Sequence, residues 1–399
     1  MRYALDGIRV LDLSQMWATP GAAMYLADQG ADVVKVEPLW GDDARRTFTQ
    51  PPLPTGDSRA YLVVNRNKKG LALDITKPEG RDVALRLADR SDVLLHNFRP
   101  GVVERLGLGY AALRKRNPRL VYVWVTPYGR KGPYASWRGY DRLFQALSGV
   151  MGRRRLPDGT PQGAGVWVSD MAAPMLVSYG VALALLVRER TGRGQMVDTS
   201  LLQVAIAMQA VEMVRLESER RAAKTPGPDL AAQAMFGCYR CADDRWLTIV
   251  VISDKEWRAL CKALDVPDMA DDPAYATSLK RGERSDDLYQ LLSGLFETRP
   301  RDAWMRAFRE HDVPGAPVLD PSEVYDHPQV VANRMFTTVR QPEVGPVSMF
   351  NVPLRLSETP GRVRTPAPLT LGRHTAKVLA EAGYTPAEVR ALRKKGVVK

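Results

Sequence analysis

A doubly wound α/β domain followed by a smaller α+β region is predicted by three features of this 399-residue sequence. Short β-branched runs alternate with helical stretches through its first half. Residues 8–38 form a compact strand–helix–strand unit, which requires parallel strands and a right-handed crossover. The texture then changes at Thr225-Pro226-Gly227-Pro228, and extended, proline-punctuated segments return from about Pro328.

The elements follow in order. Ile8 to Leu13 reads as a strand, Ala22 to Gln29 as a helix stopped by Gly30, and Asp32 to Glu37 as a second strand closed by Pro38. Leu71 to Ile75 is a third strand, and Thr76 is placed to cap a helix from Pro78 to Ala88. Asp92 to Asn97 is a strand, Val102 to Leu106 and Tyr110 to Arg116 are helical, and Leu120 to Thr126 is a strand. An amphipathic helix is expected over Tyr140 to Met151, a long one from Met171 to Arg190 and another from Leu201 to Arg221, with a short strand at Gln195 to Thr199. Beyond the boundary come a strand at Trp246 to Val251 and helices near Asp254 to Leu264, Asp286 to Phe296 and Arg301 to His311. Helical pieces at Thr375 to Ala382 and Pro386 to Lys394 finish the chain.

Composition excludes some functions. The net charge of +12 favours anionic partners without choosing among nucleic acid, acidic membrane and phosphorylated or carboxylate substrate. The basic clusters, such as Arg153 to Arg155, lack interleaved aromatics on a strand, so nucleic-acid binding is not expected. Three cysteines cannot form a disulfide framework, and the opening has no apolar stretch after a basic region; a soluble, cytoplasmic protein is expected. The most apolar segment, Met171 to Val187, reads as a buried helix and not as a membrane span.

Several chemistries are set aside next. Cys238-Tyr239-Arg240-Cys241 has no second cysteine pair and precedes a strand, so neither a zinc ribbon nor a redox motif is indicated; no metal is expected. There is no P-loop, no glycine-rich dinucleotide fingerprint and no nucleophile elbow. His96 lies in a strand pattern, where a packed histidine is the safer reading. The first loop, Ser14 to Gly21, can still admit a ligand beyond the strand ends. Asp170 stands where a glycine-containing loop meets the long apolar helix. It is either that helix's cap or a carboxylate held ionised by the helix dipole and able to attack an acyl carbon. The residue alone does not separate the two.

An ordered series of blocks resembles the class III CoA-transferases, the formyl-CoA transferase-like (CaiB/BaiF) family. The blocks are Leu5 to Ser14, Leu26 to Pro38, Asn67 to Asp74, Asp92 to Gly101 (DVLLHNFRPG), Leu106 to Tyr110, Tyr140-Asp141 to Gly149, Thr191 to Leu201, Pro366 to His374 and Leu392 to Val397. The resemblance implies a Rossmann-like large domain made from both termini (1–200 and 330–399), a linker helix (201–225), an inserted small domain (226–329) and an interlocked homodimer. It implies coenzyme A thioesters and carboxylic acids as substrates, with no permanently bound cofactor. The family's nucleophile falls on Asp170. Its CoA-contacting positions fall on Trp17, Ala18, the Leu73 to Thr76 segment, Asn97, Phe98, Arg99, Arg105 and Arg138. Each arginine is otherwise an ordinary solvated side chain.

The implied reaction moves CoA between acids through an aspartyl anhydride and an aspartyl-CoA thioester. Three positions depart from the family: Pro38 stands where some relatives carry Arg, Trp17 where others carry Gln, and of a shielding glycine loop only Gly227 is in a suitable region. The same fold includes α-methylacyl-CoA racemases, which use a histidine where this chain has Tyr140 of Gly139-Tyr140-Asp141. A tyrosine is a poor base near neutral pH, so racemase is the alternative and a non-catalytic CoA-binding protein the third reading.

Overall fold

The computed structural model describes residues 2–47, 52–214 and 234–399. The chain divides into two compact units, Met1–Ser218 with Asn333–Lys399, and Glu219–Ala332. In the first unit, β1 (Arg9–Asp12), α1 (Ala18–Asp28), β2 (Asp32–Glu37), α2 (Arg59–Val64), β3 (Lys68–Ala72), α3 (Pro78–Asp89) and β4 (Val93–His96) follow in order. Then come α4 (Val102–Arg105), α5 (Tyr110–Arg116), β5 (Val121–Thr126), α6 (Asp141–Leu147), α7 (Val150–Arg153), α8 (Val168–Thr191), β6 (Met196–Ser200) and α9 (Leu201–Ala207).

All six strands pair in parallel in the order β3-β2-β1-β4-β5-β6. The direction of winding reverses between β1 and β4, so the loops leaving their carboxyl ends part there and leave a crevice. One face of the sheet packs Leu11, Leu94 and Tyr122 against α3, and the other packs Val10, Val93 and Val123 against α1 and α8. Both faces are apolar because crossover helices cover both.

The second unit holds β7 (Cys238–Arg240), β8 (Trp246–Ile249), α10 (Asp254–Ala263), α11 (Ser278–Glu283), α12 (Ser285–Phe296), α13 (Arg301–His311), β9 (Gly315–Pro317) and α14 (Pro328–Ala332). Its three strands are antiparallel and its core is aromatic, with Trp257, Phe296, Trp304 and Phe308 buried. The chain then returns to the first unit as the hairpin β10 (Phe336–Gln341) and β11 (Gly345–Phe350), with α15 (Thr375–Glu381) and α16 (Pro386–Lys394). Buried polar groups tie this return to the amino-terminal half: Arg66 donates to the Phe350 carbonyl (2.7 Å), and Asn67 Oδ1 accepts from Thr365 N (2.9 Å).

Several local expectations are corrected. Helix α1 starts four residues earlier than Ala22, because Pro20 falls in the first turn, where no N–H is required. Strand β3 is shifted toward the amino terminus: buried Lys68 is satisfied by Asp12 (2.9 Å) and Lys69 by Asp32, so two lysines fit a strand that apolar patterning would start later. Thr76 does not cap α3; its N–H and hydroxyl both donate to Asp74, and Lys77 takes the boundary position. The Tyr140 to Met151 helix is two helices, broken where Gly149 takes a left-handed φ of 91°. The Leu201 to Arg221 helix stops at Ala207 and runs on as turns; its part from 215, with Thr225 to Pro228 and Gly227, lies outside the described residues.

The Cys238 to Cys241 segment precedes the strand β8, as read; its first three residues form the short strand β7, and Cys241 is buried. His96 is packed as expected, stacked on Phe98 and Trp124, where burial alone lowers its pKa to about 3. Helix α8 is the largest departure. It is long and apolar enough to cross a membrane by length and composition, and one side packs on α1, but Met171, Met175, Leu176, Tyr179, Leu183 and Leu186 are exposed.

Candidate active site

The crevice at the carboxyl ends of the strands holds a cavity of about 440 Å³. Gln15 and Met16 enter it from the loop after β1, Ala18 and Thr19 from the first turn of α1, Asn97, Phe98 and Arg99 from the loop after β4, and Asp170 from the start of α8. A narrower slot of about 180 Å³ shares Gln15, Phe98 and Val102 with it and runs over the ends of β2 and β3 to Leu73, Asp74, Ile75 and Thr76.

The β1–α1 loop is held from below by buried charge. Lys35 donates to the Ser14 carbonyl and to Asp42 (2.7 Å), and the other Asp42 oxygen accepts the Met16 N–H at 3.0 Å. Burial works against the Lys35 charge, but Asp42 and Asp12 outweigh it and keep its pKa raised. Lys68 bonds Asp12 and the Pro20 carbonyl (2.8 Å), and burial pulls its pKa down to about 8. Asn97 closes the loop from the side: its amide donates to the Gln15 carbonyl (2.7 Å) and accepts the Gln15 N–H (2.9 Å). These ties hold Met16 in the left-handed region at φ 69°, a conformation that costs a non-glycine residue about 1–2 kcal/mol.

Asp141 decides the state of Asp170. One Asp141 oxygen accepts the Ser169 N–H (2.6 Å), the Ser169 hydroxyl (2.7 Å) and the Asp170 N–H (3.0 Å). The cap of α8 is therefore Asp141, supplied from α6, and not Asp170. Gln145, one turn further along α6, holds Asp141 in turn and accepts the Ala164 N–H (2.9 Å), so the loop before α8 is pinned to α6. Gly139 makes this approach possible, since a Cβ there would sit 2.4 Å from Phe144 and 2.5 Å from Pro127.

The Asp170 carboxyl has no hydrogen-bond partner among the described residues. Burial, and then the Asp141 charge, push its pKa up to about 7. The N–H groups at this helix start that could stabilise an ionised Asp170 are taken by Asp141. The result is a carboxyl poised near neutral pH, bare, and facing a cavity; desolvation of this kind makes a carboxylate a stronger nucleophile once ionised.

The structure brings Ala18, Asn97, Phe98, Arg99, Arg138 and Asp170 to the main cavity, and Leu73, Thr76 and Phe98 to the slot. The Arg99 and Arg138 guanidinium groups have no ion-pair partner among the described residues. Trp17 and Arg105 are not brought there. Trp17 is buried against Tyr61, Leu62 and Met349, edge-on to Trp167, and Arg105 is exposed on α4. Sequence reasoning missed Asp141, Gln145, Asp42 and Thr19. Asp141 was in view beside Tyr140, but a capping contact 29 residues away leaves no local spacing to read.

The chain matches the CoA-transferase family III over residues 5–375. It is 32% identical to the formyl-CoA:oxalate CoA-transferase of Streptomyces coelicolor over 99% of both chains. It is 33% identical to the succinyl-CoA:glutarate CoA-transferase of Mus musculus, over 99% of this chain and 90% of the relative. A crystal structure of a CaiB/BaiF family protein from Brucella suis superposes with a TM-score of 0.83 at 29% identity, over 96% of this chain and all of that one. With a match that runs through both halves of the large unit and the unit between them, the chain belongs to the class III CoA-transferases.

Proposed function

We propose that the protein is a transferase that moves CoA from an acyl-CoA thioester to a free carboxylic acid, with Asp170 as nucleophile. The observation that carries this reading is the bare Asp170 carboxyl on the crevice, its capping duty taken by Asp141. Ionised Asp170 attacks the thioester carbon; the carbon–sulfur bond breaks, and CoA leaves as thiolate from a mixed anhydride. The thiolate then attacks the aspartyl carbonyl and frees the donor acid. The acceptor carboxylate attacks the aspartyl-CoA thioester, and CoA returns through a second anhydride. Each step exchanges one activated acyl group for another, so no ATP is consumed.

In this reading Arg99 and Arg138 bind CoA phosphates as charge-assisted donors, while Leu73, Thr76 and Phe98 of the slot hold the adenine end. The exposed apolar side of α8 supports a homodimer, for which we adopt the interlocked arrangement of the family; so large an apolar stripe marks an association surface. Three free thiols support a reducing, cytoplasmic setting. Against racemisation, no histidine lines the cavity among the described residues, and Tyr140 stands where the racemase base would.

The test is trapping. Protein incubated with acyl-CoA and hydroxylamine or borohydride should carry its label at Asp170, and Asp170→Ala should remove both label and turnover while the protein remains folded. Turnover with Asp170 unmodified overturns the mechanism. Exchange of α-hydrogen with deuterated water in the absence of acceptor acid would establish the racemase instead.

A further inference from the structure

Thr19 lines the same cavity as Asp170, from the first turn of α1. It is fully buried, and its hydroxyl has no hydrogen-bond partner among the described residues. A threonine hydroxyl in a helix normally bonds the carbonyl four residues back. Here that carbonyl, Gln15 O, already accepts from Asn97. A buried hydroxyl left without a partner is costly, and structures keep few of them.

The first turn of α1 itself also offers Thr19 no acceptor side chain. Helix α1 has no side-chain cap and no acidic residue in its first turn. The Ala18 and Thr19 N–H groups donate to nothing outside the helix among the described residues, and position 20 is a proline without an N–H. The helix dipole adds partial positive charge at this end. Two residues that line the cavity, Ala18 and Thr19, thus carry two N–H groups and one hydroxyl without an acceptor outside the helix among the described residues.

The two helix starts are also close. A Cβ on Gly21 would lie 2.8 Å from Pro174 Cγ, and Ala18 packs with Ala172 and Ala173. Thr19 lies two residues before Gly21 and Asp170 four before Pro174, and both line the cavity. At α8 Asp141 accepts the Ser169 and Asp170 N–H groups; at α1 no side chain among the described residues plays that part.

We infer that the Thr19 hydroxyl, with the first N–H groups of α1, is the oxyanion site for the acyl carbon attacked by Asp170. This rests on the nucleophilic reading of Asp170. As Asp170 adds to the thioester, the carbonyl oxygen takes the negative charge and accepts from Thr19. On collapse the C–O double bond reforms, the carbon–sulfur bond breaks, and its electron pair leaves with the thiolate. Thr19 gives a hydrogen bond and transfers no proton. Donors fixed before reaction act where charge develops, and losing one costs about 100-fold or more in kcat.

The experiment compares wild type with Thr19→Val and Thr19→Ser, using succinyl-CoA as donor and oxalate, glutarate and malate as acceptors. It reads Asp170 acylation by rapid-quench mass spectrometry, steady-state kcat and KM, and thermal melting. Thr19→Val should slow acylation and kcat about 100-fold, change KM by less than about threefold, and melt at or above wild type, because it removes an unsatisfied hydroxyl without changing shape. Thr19→Ser should act within about fivefold of wild type, since the donor remains. Acylation at the wild-type rate in Thr19→Val overturns the inference and leaves the nucleophile standing; so does a clear loss of melting temperature, which would reveal a structural partner. Wild type that transfers CoA with Asp170 never acylated overturns the nucleophilic reading itself, and the oxyanion site with it.

Discussion

Two helices begin at the same cavity, α1 and α8, and they are finished in opposite ways. The α8 terminus is closed by a carboxylate borrowed from α6, whereas the α1 terminus has no side-chain cap among the described residues. The difference shows how a protein can prepare a site before substrate arrives. Capping α8 with Asp141 releases Asp170 from structural duty and raises its pKa by like charge. Leaving α1 uncapped keeps donors available where, in the proposed reaction, an anion would form.

This contrast can be broken at four points, beginning with the largest effect. Asp170→Ala should lower CoA transfer by about 10³-fold or more, measured by acid–thioester exchange with oligomeric state and melting checked in parallel. Residual activity near wild type would mean that the released carboxyl is not the reason for the α8 arrangement. Next comes the support under α1. Lys35→Met strands Asp42 as an uncompensated buried charge, and urea unfolding should show a loss of about 3–5 kcal/mol. A small loss would place the strain of Met16 elsewhere.

Asp141→Asn keeps an oxygen for the cap but removes its charge. Stability should fall by about 1 kcal/mol. The acid limb of the kcat/KM profile, expected near 7 because Asp170 must ionise to attack, should move to lower pH. An unmoved limb would show that burial alone raises Asp170.

The smallest effect concerns Asp170 itself. Its pKa is raised in the folded protein from 3.8 to about 7, so the native state holds the proton more tightly than the unfolded chain. Its contribution to stability is thus most favourable below about pH 4 and is lost as pH climbs to about 7. Asp170→Asn should therefore raise the melting temperature more at pH 8 than at pH 5. The side chain is only partly buried, so the gain should be about 1 kcal/mol, or roughly 2 °C. A lower melting temperature would restore Asp170 to the cap.

Much of the fold was legible because parallel strands and crossover helices write locally. The runs at residues 8–13, 32–37, 92–97 and 120–126 announced β1, β2, β4 and β5, since strands buried on both faces are rich in β-branched and other apolar residues. Legibility failed where a distant partner overrode the local pattern. Lys68 belongs to β3 because Asp12 meets it across the sheet, and Thr76 loses its cap position to an Asp74 turn. The apolarity of α8 promised burial, but only one of its sides faces α1.

The amino-acid sequence by itself determined the parallel sheet, the placement of most helices, and Asp170 as the carboxylate in question, because hydrophobic period, turn residues and ordered motifs are properties of neighbouring positions. Only the tertiary structure decided which carboxylate caps α8, which N–H groups remain without acceptors, and that Thr19 shares a cavity with Asp170. Those facts depend on hydrogen bonds between residues far apart in the chain, and a donor's partner is fixed by where the backbone carries it, not by what stands beside it in sequence.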